Sequence, residues 1–211
     1  MDCQVIFLRH GQTDANVSNI LQGQMNSHLS KLGLAQAEAA AEYLADVPFD
    51  AAYASDLDRG MDTARAIVAR HPGLELHPEP LLREWNLGSL QGQSWNDLLK
   101  IPEMQELRRA LLKEDVDCRI PGGESKSELQ ARADQFLAML LERHRNQTVL
   151  AVTHAGVLRR IFRRVVGITD PCNLLPRTDN ASIHRISHNE TGGWCLRGWN
   201  DTSHLRHLPK A

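Results

Sequence analysis

The sequence predicts an α/β fold, and three observations predict it. Two short apolar runs, residues 5–8 and 148–153, end in Arg9-His10-Gly11 and His154-Ala155-Gly156. Runs this short and without polar alternation read as parallel strands buried on both faces. Apolar residues at helical spacing lie between and after them, so strand and helix alternate along the chain. The length of 211 residues suits one such domain with a real core, and we expect a single unit over 1–211.

Taken in order, the strand at 5–8 comes first. Leu34, Ala37, Ala41 and Leu44 behind Ser30 form a helical stripe. Residues 50–54 are a weaker strand leading into Ser55-Asp56-Leu57-Asp58-Arg59, after which Thr63, Ala64, Ile67 and Val68 begin a helix. Leu129, Ala133, Phe136, Leu137, Leu140 and Leu141 mark a further helix before the strand at 148–153. Val157, Leu158, Ile161, Phe162, Val165 and Val166 repeat the spacing directly after His154. Residues 181–186 and 194–196 read as strands around the turn at Thr191-Gly192-Gly193. The stretch 85–122 differs: it carries Pro102, a polar amphipathic run with Arg108, Arg109 and Lys113, and the breaker Pro121-Gly122, and so reads as an insertion over the core.

Composition narrows the function. Basic and acidic residues nearly balance, 24 against 26, which argues against a general nucleic-acid binder. The N-terminus lacks a basic region ahead of a long apolar stretch, and no apolar run approaches the roughly 18 residues of a spanning helix, so a cytoplasmic protein without membrane contact is expected. Cys3, Cys118, Cys172 and Cys195 are scattered, with neither metal-ligand spacing nor a Gly-rich setting for a nucleophile, and read as structural thiols.

Ligands of open α/β sheets sit beyond the carboxyl ends of the strands, where His10 and His154 both fall. Arg9 beside His10, and Arg59 at a helix start, put guanidinium donors at the same end, and paired N–H groups match phosphate oxygens. A histidine attacks phosphorus when its other nitrogen gives its proton to a fixed acceptor, for which a backbone carbonyl serves. Gly11 would allow a close approach of backbone and phosphate, and Asn16 and Gln22 add neutral amide donors. A leaving group needs an acid whose pKa is raised by burial or by nearby negative charge. Glu84, in the apolar setting of Leu81-Leu82-Arg83-Glu84-Trp85, is the best candidate; Glu124 competes but is accounted for as a helix cap.

These residues resemble the histidine phosphatase superfamily, the phosphoglycerate-mutase-like group. The resemblance is carried by Leu8-Arg9-His10-Gly11-Gln12-Thr13 with Asn16, Leu29-Ser30 with Gly33, and Ser55-Asp56-Leu57 with Arg59, Thr63 and Ala64. Arg83-Glu84 with Gly88 and Gly92, Gly122-Gly123-Glu124-Ser125 and Thr153-His154-Ala155-Gly156 follow in order. It implies a three-layer α/β/α sandwich with a mostly parallel sheet and a small helical insertion over the active site. It further implies His10 as nucleophile, Arg9, Arg59 and His154 as the phosphate pocket, Glu84 as proton donor, and Asn16, Gln22, Gly23 and Ala155 bordering the substrate. The expected reaction is metal-independent hydrolysis of a small phosphorylated metabolite through a phosphohistidine, with no cofactor. Mutases of the group resemble this chain at Leu90-Gln91-Gly92 but carry a longer insertion, where only 39 residues separate Glu84 from Glu124 here, so hydrolysis is favoured over a mutase-type transfer. Arg108 and Arg109 read as a solvated helix face. Oligomeric state leaves no mark in the sequence.

Three rivals compete with this reading. Asp56-Leu57-Asp58 offers two carboxylates for a magnesium-dependent aspartate phosphatase, but lacks the Gly-Thr continuation. A noncatalytic phosphate-binding module would keep the pocket without the chemistry, yet His10 and Glu84 are both present. His184/His188 and His204/His207 are the closest histidine pairs for a metal, and their spacing on strand and tail segments favours core or surface roles.

Overall fold

The computed structural model describes residues 3–102, 104–105, 118–169 and 174–209. Arg108, Arg109, Lys113 and Cys172 lie outside the described residues. A six-stranded sheet of β1 (Cys3–Arg9), β2 (Ala51–Ala54), β3 (Leu76–Pro78), β4 (Thr148–Thr153), β5 (Ile183–Asn189) and β6 (Gly193–Asp201) runs in the order β3-β2-β4-β1-β5-β6. The first four strands are parallel; β5 and β6 add antiparallel pairs at one edge.

Strand alternation decides the layers. Val5, Phe7, Tyr53, Val149 and Ala151 point to one face and pack on Leu129, Phe136, Leu140, Leu158 and Ile161 of α5 (Lys126–Arg143) and α6 (Ala155–Val165). Ile6, Leu8, Ala52, Leu150 and Val152 point to the other and meet Ala40, Ala41, Leu44, Ala64 and Ile67 of α2 (Lys31–Leu44) and α3 (Asp58–Val68). Helices on both faces make the expected three-layer arrangement. Two short helices, α1 (Asp14–Val17) and α4 (Trp95–Leu98), stand outside these layers.

Four differences from the sequence expectation have physical causes. Leu34 is 58% exposed, and the buried face of α2 consists of Gly33, Gln36, Ala37, Ala40, Ala41 and Leu44. Small residues let this helix lie against the loop after β1: a Cβ on Gly11 would stand 2.5 Å from the Gly33 carbonyl oxygen. The close approach that Gly11 permits is therefore to backbone. Strand β3 has three residues and ends in proline, too short for any periodicity to register. The last strand runs on through Gly198 to Asp201, because an edge strand of intermediate burial shows little alternation. Among the described residues no helix is long and apolar enough to cross a membrane.

Candidate active site

Register places the two histidines together. Arg9 of β1 pairs with Thr153 of β4, so the next residues, His10 and His154, leave the sheet side by side with ring centroids 5.0 Å apart. The His10 backbone is fixed at both ends: its N–H donates to Thr153 O (3.0 Å), and its carbonyl accepts from Ala181 N (3.1 Å) and Asn180 Nδ2 (3.2 Å). His10 Nδ1 lies 2.7 Å from Gly11 O. A carbonyl only accepts, so Nδ1 carries the proton and Nε2 keeps its lone pair. Burial, then the charges of Arg9 and Arg59, push the His10 pKa well below its ordinary value, leaving the ring uncharged at neutral pH.

The resemblance places His154 in the phosphate pocket, and its ring lies beside that of His10. It is fully buried, accepts from Arg59 Nε at Nδ1 (3.2 Å), and therefore donates from Nε2 to Ser55 Oγ (2.8 Å). Both nitrogens are engaged within the protein. Burial, then the Arg59 charge, hold its pKa well below the usual value.

Arg59 is 1% exposed and donates from Nη1 to Met25 O and from Nη2 to Gly23 O, both at 2.7 Å. It does not pair with Asp56 or Asp62, whose carboxylates take Arg83 and Arg65 instead. The carbonyl of Gly23 thus points at a guanidinium. Arg9 donates from Nη1 to Thr178 O (2.6 Å), while its Nε is shielded from solvent and bonded to nothing in the protein. Burial above all lowers both arginines to about 10, so they remain cations at neutral pH.

The Glu84 carboxylate lies at the N-terminus of α6. Its Oε1 accepts from Trp85 N (2.8 Å) and Gly156 N (3.0 Å), and its Oε2 is 3.2 Å from Gly156 N. A Cβ on Gly156 would sit 2.2 Å from Oε1, so only glycine admits the carboxylate here.

Glu124 is not a cap. Ser125 caps α5 in a capping box with Glu128, whereas Glu124 pairs with Arg132 at 2.7 Å and 2.9 Å. Arg132 also donates to the carbonyls of Leu81, Arg83 and Glu84, and Glu124 accepts from Asn86 N. This pair clamps the segment that carries Glu84. Arg132, Thr178 and Asn180 left no trace in the sequence, and Ser55 stood there only as part of a motif, since each acts through a backbone group or side chain that only the fold brings near.

Asn16 and Gln22 both line the cavity. Asn16 Oδ1 accepts from Thr13 N, and Gln22 Oε1 accepts from Thr13 Oγ1. With the oxygens held inside, the NH₂ groups are the ends left for a ligand. Ala155 lines the cavity as well.

The cavity has a volume of about 350 Å³. Its floor is Arg9, His10, Arg59 and Glu84, and its wall includes Leu21, Trp85, Leu87, Leu90 and Trp95. The wall rests on a small cluster of its own around Leu90, Leu98 and Ile120, so the described part of 85–122 does border the site.

The rival metal readings find other partners. Asp56 accepts both ends of the Arg83 fork. His184 lies between Ser182 Oγ and Asn200 N, and His204 stacks on Tyr43. Among the described residues no three His, Cys, Asp or Glu side chains gather in a cluster fit for a metal.

An uncharged imidazole over a floor of guanidiniums suits a phosphate, whose oxygens take N–H groups while phosphorus meets Nε2. At the carboxyl ends of a largely parallel sheet, this defines an α/β protein of the phosphoryl-transfer class. The chain belongs to the histidine phosphatase superfamily (branch 1), whose family model matches residues 5–202. It is 37% identical over 205 residues to the metal-independent phosphoserine phosphatase of Arabidopsis thaliana, covering 96% of this chain and 83% of that protein. Phosphoglycerate mutase-like protein 4 of the same plant is 30% identical over 204 residues, covering 96% and 86%. The solved structure of a mycobacterial glucosyl-3-phosphoglycerate phosphatase, in complex with VO3, superposes with a TM-score of 0.83 at 30% identity, covering 94% of this chain and 99% of that one.

Proposed function

We infer that this chain is a metal-independent phosphomonoesterase acting on a small phosphorylated metabolite through a phosphohistidine at His10. The observation that carries the reading is the lone pair on His10 Nε2, fixed by the Nδ1 bond to Gly11 O within a cavity whose floor holds Arg9 and Arg59. The phosphatases among its relatives support the hydrolytic direction.

His10 Nε2 attacks phosphorus, the N–P bond forms, and the ester P–O bond breaks. Arg9 Nε and the amide groups of Asn16 and Gln22 hold the phosphate oxygens, and His154 keeps the Arg59 guanidinium in its plane. Glu84 Oε1 takes two N–H donors and Oε2 only the longer bond from Gly156 N (3.2 Å), so Oε2 is the oxygen that gives its proton to the leaving oxygen. Glu84 then takes a proton from water as that water attacks phosphorus. The N–P bond breaks, inorganic phosphate leaves, and His10 returns to its starting state. The chain acts as one unit over 1–211, with 85–122 as the cover of the cavity. A cytoplasmic location is part of the proposal, supported by the unpaired thiols of Cys3 and Cys195.

Rapid quench with a labelled phosphomonoester tests the reading. Acid-labile, base-stable label is expected on His10, and His10→Ala loses the label together with turnover, by on the order of 10⁴-fold. A chelator leaves wild-type turnover unchanged. Equal turnover by the variant refutes the mechanism, and label passing to an added alcohol or acid in preference to water marks a mutase-type transfer instead.

A further inference from the structure

Among the described residues, two arginines keep a side-chain Nε that is shielded from solvent and bonded to nothing in the protein: Arg9 and Arg159. Both line the same cavity. The Arg9 group faces the phosphate under the reading above, but nothing in that mechanism uses Arg159. A scaffold arginine looks different: Arg132 has Nε, Nη1 and Nη2 all bonded to carboxylate or carbonyl oxygens. A buried donor left without an acceptor costs free energy, so its retention in a cavity wall points to an acceptor that arrives with a ligand.

Position says where that acceptor would be. Arg159 follows Gly156 by three residues on α6, on the face that borders the cavity. It therefore stands about one turn, roughly 5 Å, along the helix from the end that holds Glu84. Two further cations line the cavity, Lys126 and Arg160, but each is already engaged within the protein. Burial above all, and the Arg159 charge in part, lower the Arg9 pKa to about 10, which places the two cations within electrostatic reach of each other.

We propose that Arg159 forms a carboxylate subsite, so that the preferred substrates are phosphomonoesters bearing a carboxylate about two or three carbon atoms from the ester oxygen. The proposal rests on the hydrolase reading for the place of the phosphate. One unpartnered guanidinium matches one negative charge and presents paired donors to two carboxylate oxygens. A second phosphate dianion would bring more charge than Arg159 alone can offset beside the apolar side chains of Trp85, Leu87 and Leu129.

The test uses matched compounds, O-phosphoserine and O-phosphoethanolamine, which differ by the carboxylate. Wild type is expected to favour O-phosphoserine in kcat/KM by at least about 10-fold, and Arg159→Gln to lower that ratio by about 10-fold to 100-fold, as befits loss of a charged hydrogen bond. Arg159→Lys, which keeps charge without the fork, restores part of the ratio. Calorimetric binding of both compounds to His10→Ala and to His10→Ala/Arg159→Gln reads the same subsite without turnover. An unchanged ratio in Arg159→Gln, or equal losses on both compounds, overturns the subsite. Full turnover by His10→Ala overturns the phosphohistidine while the calorimetric ratio still judges Arg159.

Discussion

The floor and the wall of the cavity are built on opposite plans. The floor consists of buried polar side chains, each pinned by the sheet or by another buried group: His10 by Gly11 O, and Arg59 by two carbonyls and by His154, which bonds Ser55 in turn. The wall consists of apolar side chains from the 3₁₀ turn Gly88–Leu90, the short helix α4 and the loops beside them, around a small satellite cluster. A floor made of mutually dependent hydrogen bonds tolerates little change, because each loss strands a buried partner. A wall made of contacts that lack direction can be reshaped at modest cost. The chemistry is therefore fixed in the floor, and the fit to the organic part of a substrate is adjustable in the wall.

The largest expected effect breaks the floor by protons. His10, His154 and His184 are buried with lowered pKa values, His184 at about 3 through burial and the Arg9 charge. In the unfolded chain they bind protons near 6.5, so below that pH the unfolded state holds more protons. Their contribution is complete above 6.5 and lost as pH falls toward the folded values. Urea unfolding should show stability dropping by up to about 4 kcal/mol per pH unit below pH 6. A flat profile between pH 7 and 5 would show that these rings are charged or hydrated in the folded state.

Next comes the clamp behind Glu84. Arg132 and Glu124 are 17% and 18% exposed in their side chains, so Arg132→Gln leaves a nearly buried carboxylate uncompensated. A loss of about 3 kcal/mol in unfolding free energy is expected. A loss below about 1 kcal/mol would place this pair with ordinary surface salt bridges.

Gly156→Ala addresses the carboxylate directly, since the added Cβ overlaps Glu84 Oε1. Displacing the acid should slow alkyl phosphates about 100-fold and aryl phosphates far less, because an activated leaving group needs little protonation. Equal slowing of both would assign Glu84 a structural or water-activating role alone. The smallest change is expected in the wall: Trp95→Ala should raise KM about 3-fold to 10-fold with kcat nearly constant, as for binding shared equally by ground and transition states. A comparable fall in kcat would make the wall part of the chemistry and dissolve the contrast.

Much of the site is legible in the sequence. Strand 148–153 matches β4 residue for residue, because a buried parallel strand is a continuous apolar run. Arg9, His10, Asn16, Gln22, Arg59 and Glu84 do meet around one cavity, since chemistry at a strand end is written in short local motifs. The orientation of the His154 ring was not legible. Its motif says it lies near His10, but which nitrogen it offers depends on Arg59 and Ser55, about a hundred residues away in sequence. Arg132 and Arg159 sit in helices where charged residues ordinarily face water, so their spacing carried no signal.

The sequence by itself determined the alternation of strands and helices, the apolar faces that stack them, and the residue types present at the strand ends. These are local properties, carried by periodicity and by the chemistry of individual side chains. The tertiary structure alone decided which donor meets which acceptor: Glu124 with Arg132 in place of a cap, Glu84 with Gly156, Arg59 with the carbonyls of the Gly23 loop. A hydrogen bond is set to within tenths of an ångström, and that precision comes only from strand register and helix packing across the whole chain.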